Sequence, residues 1–76
     1  MKALMWSKYH CPYCDQARQL LKKKGYEIEE KKIGDGYSKE ELLEAIPTAR
    51  TVPQIYLDEI YIGGFQELKK HLEKAA

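Results

Sequence analysis

Two cysteines, Cys11 and Cys14, are the residues of this chain best suited to chemistry. Only Pro12 and Tyr13 separate them, and apolar residues at helical spacing follow from the second cysteine onward. A close pair of this kind can be a structural crosslink, half of a metal site, or a redox pair that exchanges electrons with other thiols. The neighbouring residues distinguish between these interpretations.

A metal site is disfavoured because the chain has few further ligands. Structural zinc sites use four ligands, and the only other soft donors are His10, beside the pair, and His71, near the far end. Haem attachment would need histidine directly after the second cysteine, where the chain has Asp15. We therefore predict no metal ligands and no permanently bound cofactor.

The redox interpretation accounts for the residues around both cysteines. Cys11 falls just before the predicted helix, where free backbone amides and the positive end of the helix dipole favour its thiolate. Pro12 takes a first-turn position, at which no amide donor is lost. Cys14 shares a helix stripe with Ala17 and Leu21, so it should be more buried and less ionised. Cys11 is therefore predicted to attack a substrate disulfide, and Cys14 or an outside thiol to resolve the mixed disulfide.

The elements that position this pair are predicted from apolar spacing in the order strand, helix, strand, helix, strand, strand, helix. The predicted bounds are a strand over 3–6, a helix from 12 to a cap at Gly25, a strand over 26–33, a helix between Ser38 and Pro47, strands over 51–57 and 60–62, and a last helix from Phe65. The first three elements form a βαβ unit, and the later hairpin adds antiparallel strands to the same sheet.

The sequence also predicts a helix cap, the faces of the second strand and the apolar stripes of the last two helices. Ser38 and Glu41 form a capping-box pattern for the second helix. Ile28 and Ile33 fall on opposite faces of the second strand, whose far end is expected to bulge or stop early. The apolar stripes of the last two helices are predicted to be Leu42, Leu43 and Ile46, and Phe65, Leu68, Leu72 and Ala75.

Length and charge limit the range of functions. A chain of 76 residues makes one domain, over 1–76, and such a domain buries only about 60% of its unfolded surface. Thirteen Lys and Arg balance twelve Asp and Glu, which argues against binding nucleic acid or an anionic membrane through bulk electrostatics. The apolar runs are too short for a secretory signal or a membrane span, so we expect a soluble protein of a reducing cytosol.

Three motifs together resemble the glutaredoxin family. Cys11-Pro12-Tyr13-Cys14 is typical of dithiol glutaredoxins, and Thr51-Val52-Pro53 and Gly63-Gly64 fall where that family has its other signatures. The resemblance covers essentially the whole chain, in a short form similar to bacterial and phage-encoded members. It implies an α/β, thioredoxin-like fold with a four-stranded mixed sheet flanked by three helices (βαβαββα), and a cis peptide bond before Pro53 that faces the cysteines.

The resemblance also implies a glutathione site. Lys8 would pair with a glutathione carboxylate, Tyr13 would pack beside the tripeptide, Thr51 would line the groove, and Val52, next to Pro53, would lend its backbone groups. The remaining positions implied are Gly64, Phe65 and Gln66.

The chain departs from the family after the double glycine. Many glutaredoxins continue with a small residue and an aspartate, whereas this chain has Phe65 and Gln66. Gln66 cannot supply a charge, and Phe65 is expected to pack in the stripe of the last helix. Backbone amides at the helix start remain available, in this interpretation, to hold a carboxylate.

The implied function is reduction of protein disulfides and glutathione mixed disulfides by a monomer that uses glutathione as reductant. Oxidised ribonucleotide reductase is one implied partner. The implied location is the cytosol of a bacterium or of a phage-infected cell. The departure at Phe65 and Gln66 leaves open a redoxin recharged by thioredoxin reductase. A zinc or iron-sulfur module, with a cluster bridging two copies through Cys11, ranks below both, because proline after the first cysteine is associated with poor cluster binding in this family.

Overall fold

The computed structural model describes residues 1–74 and confirms the predicted order of seven elements. Ala75, which was predicted to end the stripe of the last helix, lies outside the described residues. The elements are β1 (Lys2–Lys8), α1 (Pro12–Lys23), β2 (Glu27–Ile33), α2 (Lys39–Ala45), β3 (Gln54–Leu57), β4 (Ile60–Gly63) and α3 (Phe65–Lys74).

The four strands form one mixed sheet in the order β2-β1-β3-β4. β1 and β2 are parallel, as the βαβ pattern predicts, whereas β3 is antiparallel to β1 and to β4. Asp58 and Glu59 make the turn of the β3–β4 hairpin with positive φ angles of 47° and 71°, which places both turn residues in the left-handed region. The predicted α/β architecture of a four-stranded mixed sheet flanked by three helices is confirmed.

Apolar clusters cover both faces of the sheet, because successive strand residues point to opposite sides. On one face, Ala3 and Met5 of β1 belong to a buried cluster with residues of α1 and α3. On the other face, Trp6 packs in a smaller cluster with Leu42 and Ile46 from the α2 region. The sheet is therefore a central layer, with α1 and α3 on one side and α2 on the other.

The expectation that β2 bulges or stops early is wrong. β2 pairs with β1 residue by residue from Glu27 to Ile33, with no shift of register. Ile28 packs against the α1/α3 cluster and Ile33 against the α2 cluster, so each face has an apolar partner for its isoleucine. Because both faces are covered, the change of face is compatible with a regular strand.

Several predicted boundaries and side-chain positions also need correction. β1 runs from Lys2 to Lys8, beyond the strand predicted over 3–6, and β3 begins at Gln54 instead of Thr51. Leu43 was expected on the apolar face of α2 but is 37% exposed, since Leu42 and Ile46 already contact the sheet from this short helix.

The Ser38 hydroxyl caps α2 by accepting the N–H of Glu41 at 3.2 Å, as the capping box predicts. The Glu41 carboxylate, however, lies 3.4 Å from the Ser38 hydroxyl, whereas the pattern predicted a bond to the Ser38 amide.

Each helix within residues 1–74 is too short or too polar to cross a membrane.

Candidate active site

The two cysteines lie at the start of α1, directly after the carboxyl end of β1. Cys11 is the N-cap residue, with φ −118° and ψ 97°, and its Sγ accepts the backbone N–H of Cys14 at 3.2 Å. The two sulfurs are joined in a disulfide, with the Cα atoms 5.2 Å apart. Cys14 is fully buried and Cys11 is 5% exposed, so the predicted difference in burial is confirmed. Cys11 is therefore the more accessible of the two cysteines.

A segment before β3 faces the cysteines from the other side. The peptide bond between Val52 and Pro53 is cis, as the resemblance implies. The carbonyl oxygen of Val52 lies 3.8 Å from the Sγ of Cys11. These residues were predicted to be part of a strand, but they precede the β3 ladder and line the surface next to the disulfide.

Seven of the eight residues implied to bind glutathione line one groove of about 330 Å³, which we name the thiol groove. The implied residues in it are Tyr13, Thr51, Val52, Pro53, Gly64, Phe65 and Gln66. The ring centroids of Tyr13 and Phe65 are 5.8 Å apart, so Phe65 forms part of the groove wall as well as packing against the core. Tyr13 remains 55% exposed and is open to contact with a ligand.

The thiol groove also contains Glu67, which the sequence interpretation missed. Its Oε1 accepts the N–H of Gly64 at 3.0 Å, so this amide at the start of α3 already has an acceptor. The side chain lies close over Gly63, where a Cβ would come within 3.0 Å of the same oxygen. The signal that could have identified Glu67 is its spacing of three residues after Gly64, which is that of a capping box.

Lys8, the eighth implied residue, lies outside the thiol groove. It lines a neighbouring depression of about 210 Å³, which we name the basic cleft, together with Lys39 and Arg50. Thr51 and Val52 line both depressions and separate them. Sequence reasoning missed Lys39 and Arg50 because they are ordinary surface cations in the chain and meet Lys8 only through the folding of the sheet.

A polar network joins α1 to the two parallel strands beneath the site. Arg18 donates to both carboxylate oxygens of Glu30, at 2.7 Å each, and to Asp15 at 2.8 Å. The buried Ser7 hydroxyl donates to the same Glu30 carboxylate at 2.5 Å. Hydrogen bonding from Arg18 lowers the pKa of Glu30 to about 2, and the two acids raise the pKa of Arg18 above its ordinary value. This network fixes the helix that carries Cys14.

The loop before Cys11 is shaped by Tyr9 and His10. Tyr9 lies under Lys32, whose Nζ is 4.7 Å from the ring centroid, and the nearby Asp35 raises the pKa of Tyr9. His10 has a φ of +56°, a left-handed conformation that turns the chain from β1 toward the helix. The side chain of His10 is exposed.

Among residues 1–74, no group of three or more His, Cys, Asp or Glu side chains is placed to hold a metal ion.

Comparison with known proteins identifies the family. The Glutaredoxin family model matches residues 3–62, which include the disulfide, all the residues that line the basic cleft and half of those that line the thiol groove. Glutaredoxin 3 of Escherichia coli is 38% identical over 64 residues, which cover 84% of this chain and 77% of the relative. The chain belongs to the glutaredoxin family.

A solved structure extends this similarity to the fold. Glutaredoxin 1 of Francisella tularensis, crystallised with cacodylate, superimposes with a TM-score of 0.82 at 30% identity, over 97% of this chain and 94% of that one. A buckwheat glutaredoxin solved with glutathione has a TM-score of 0.77 at 23% identity, over 95% of this chain and 69% of that one. The thioredoxin-like fold is therefore confirmed, and the glutaredoxin is a thiol-disulfide oxidoreductase.

Proposed function

We propose that this glutaredoxin uses glutathione as its reductant, with Cys11 as the attacking thiol and Cys14 as the resolving thiol. The observation that carries the proposal is the thiol groove, in which seven implied contact residues lie together beside the disulfide. The buckwheat protein of the same fold was solved as a glutathione complex. We further propose a monomer of one domain, working in a reducing cytosol.

The proposed reaction begins with attack by the Cys11 thiolate on a substrate disulfide. The substrate S–S bond breaks, one sulfur leaves as a thiolate, and a new S–S bond joins Cys11 to the other sulfur. For a protein disulfide, the Cys14 thiolate then displaces the substrate and forms the Cys11–Cys14 disulfide. Two molecules of glutathione restore the dithiol and leave as glutathione disulfide, so the two electrons are balanced.

The proposed glutathione position uses both depressions. The cysteinyl part lies beside Val52, whose backbone is close to Cys11, and pairs with it in the manner of an added strand. One carboxylate of the tripeptide pairs with Lys8 in the basic cleft. The rest of the molecule lies in the thiol groove, against Tyr13 and the start of α3.

The direct test is a coupled assay that contains NADPH, glutathione, glutathione reductase and hydroxyethyl disulfide. We expect NADPH oxidation that depends on the protein and on glutathione, and that is lost in Cys11→Ser. Absence of protein-dependent oxidation at millimolar glutathione would reject glutathione as the reductant. Oxidised ribonucleotide reductase is then the protein substrate to test with the same reducing system.

One observation favours reduction by thioredoxin reductase as a second candidate. The thiol groove carries the acid Glu67, with the uncharged Gln66 beside it, so it opposes an anionic ligand at that end. A matched assay with NADPH and thioredoxin reductase, without glutathione, distinguishes the two candidates. If the disulfide is reduced in this mixture and not in the glutathione assay, thioredoxin reductase and not glutathione is the electron source.

A further inference from the structure

A depression of about 590 Å³ lies between α1 and α3, and we name it the helix groove. Its apolar floor is formed by Leu20 of α1 and by Phe65 and Leu72 of α3. Leu20 and Phe65 are only partly buried against the core, so both keep apolar surface open to the groove. At 1.5 Å per residue, the stretch of α1 that lines the groove, residues 16–24, is about 12 Å long.

The rim of the helix groove is basic. Lys23, Lys24 and Lys69 line it, and Glu73 is the only acid among its described lining residues. The three lysines are exposed, and none of them forms an ion pair with another residue of the range 1–74. The groove therefore combines an apolar floor with three cations that are available to an acidic ligand.

The stability of the two helices explains only part of this charge. Lys23 lies in the last turn of α1 and Lys24 is its C-cap, where cations interact favourably with the helix dipole. Lys69 lies in the middle of α3, beyond the range of that effect, which is limited to the end turns. The position of Lys69 at the rim is thus not explained by helix stability.

The helix groove is continuous with the site of reaction. Phe65 lines both the helix groove and the thiol groove, and its ring centroid lies 5.8 Å from that of Tyr13. On α1, Gln16 lines the groove and lies five residues after Cys11, about 7 to 8 Å along the helix axis. Two extended residues span about 7 Å. A ligand can therefore be bonded to Cys11 and occupy the groove at the same time.

We propose that the helix groove binds an acidic amphipathic helix of a protein substrate whose disulfide reacts at Cys11. A groove between two packed helices accepts the side-chain ridge of a third, and two helical turns are about 11 Å long, which matches the length of the groove. Apolar residues on one stripe would cover the floor, and flanking carboxylates would pair with the lysines. The proposal rests on thiol-disulfide exchange by Cys11 and Cys14 and does not depend on glutathione as reductant.

The test measures single-turnover reduction of symmetric peptide disulfides by pre-reduced protein, without glutathione. Two electrons pass from the dithiol to the peptide disulfide, which becomes two thiols, while the Cys11–Cys14 disulfide forms. Because glutathione is absent, failure of the glutathione proposal would leave the result unaffected.

The reference peptide is acetyl-Cys-Gly-Ser-amide, and the acidic peptide adds Glu-Glu-Leu-Ala-Glu-Leu-Leu-Ala-Glu-Leu after the serine. Its leucines recur at i, i+3, i+4 and i+7, on one face of a helix. Two further peptides have Lys in place of Glu, or the acidic residues and leucines rearranged so that this spacing is lost. The rate constant of each long peptide, divided by that of the reference with the same protein variant, is its docking ratio.

We expect the docking ratio of the acidic peptide to exceed that of the lysine peptide about tenfold at low salt, the lower end of electrostatic steering effects. This difference should largely disappear at about 1 M salt, where the screening length is about 3 Å. The rearranged acidic peptide should have a docking ratio roughly threefold lower than the ordered one, because its leucines cannot cover the floor together. Equal docking ratios for these two acidic peptides would overturn the proposal.

Matched pairs of variants localise the effect on the two helices. Lys69→Gln and Lys23→Gln should each lower the docking ratio of the acidic peptide by roughly 1.5- to 5-fold, the range for exposed charge pairs. The controls are Lys70→Gln and Lys22→Gln, which remove exposed lysines next to them in sequence that do not line the groove. Gln and Lys have similar helix propensities, so the helices should persist in all four variants.

The comparison within each pair decides the outcome. The net charge changes equally in a variant and its control, and a general loss of activity cancels in the docking ratio. A preference for acidic peptides that arises elsewhere on the surface would respond equally to both members of a pair. Equal changes in Lys69→Gln and Lys70→Gln, together with equal changes in Lys23→Gln and Lys22→Gln, would also overturn the proposal.

Discussion

At the scale of single residues, Cys11 and Cys14 share one helix start but have different surroundings. The Sγ of Cys11 accepts the N–H of Cys14 and lies beside the Val52 carbonyl, which borders the thiol groove. Cys14 is fully buried on the inner side of α1. The same helix geometry therefore fits the proposed roles of Cys11 as the attacking thiol and Cys14 as the resolving thiol.

This difference predicts separate effects of two substitutions. Cys11→Ser should abolish reduction of both protein disulfides and glutathione mixed disulfides, because Cys14, the other cysteine, is fully buried. Cys14→Ser should lose reduction of protein disulfides but retain removal of glutathione from a glutathionylated peptide, since an outside thiol can resolve that adduct. Initial rates with both substrates test the pair, and full activity of Cys11→Ser would reject the assigned roles.

Glu67 leads to a second prediction at this scale. Glu67→Gln should lower the KM for a glutathione mixed disulfide by roughly 1.5- to 5-fold, because it removes a negative charge from the thiol groove. The amide oxygen of Gln can still accept the N–H of Gly64, so the start of α3 should keep its cap. Glu73→Gln, an exposed position on the same helix outside that groove, is the control. An unchanged or higher KM for Glu67→Gln would show that this acid does not oppose the ligand.

At the scale of elements, the sequence predicts the order and type of all seven, because apolar spacing and helix caps are local signals. The start of β3 was misplaced, since Thr51, Val52 and Pro53 have strand-like composition but lie beside Cys11 instead of in the ladder. The implied thiol-groove residues could be predicted through the resemblance. Lys39 and Arg50 could not, because only the folded sheet brings them next to Lys8.

The ion pair between Arg18 of α1 and Glu30 of β2 predicts that the stability of the fold depends on pH. The pKa of Glu30 falls from its ordinary value near 4.5 to about 2, so its ionised form stabilises the fold at neutral pH. That contribution is present above about pH 4.5 and is lost as the pH falls toward 2. Glu30→Gln should lower the free energy of unfolding by roughly 1 to 3 kcal/mol at pH 7, allowing for its partial exposure.

Urea unfolding at several pH values measures this effect. The difference between the native protein and Glu30→Gln should shrink as the pH falls from about 4.5 toward 2, because protonation removes the same charge. Glu29→Gln, an exposed neighbour on the opposite face of β2, should cost little at any pH. A Glu30→Gln deficit that stays constant over this range would contradict the ion-pair explanation.

At the scale of the whole molecule, positive and negative side chains are separated between two neighbouring depressions, although the net charge is only +1. The basic cleft lies on one side of Val52, and the thiol groove with its acid Glu67 lies on the other. The sheet makes this arrangement possible, because the segment before β3 passes beside Cys11 and borders both depressions. Overall composition, with a net charge of +1, could not have predicted it.

The small size of the core gives the last prediction. Leu68 is fully buried in the cluster that joins α1, the sheet and α3, and its N–H donates to the Gly64 carbonyl at the end of the thiol groove. Truncating a buried leucine costs about 2 to 5 kcal/mol, whereas a 76-residue domain has roughly 4 to 11 kcal/mol of total stability. Leu68→Ala should therefore lower the Tm by about 10 °C or more, as measured by thermal unfolding.

The control for this prediction is Leu43→Ala, at a 37% exposed position, which should cost less than about 1 kcal/mol. Similar losses in both variants would show that the core does not hold α3, and with it one wall of the groove, in place.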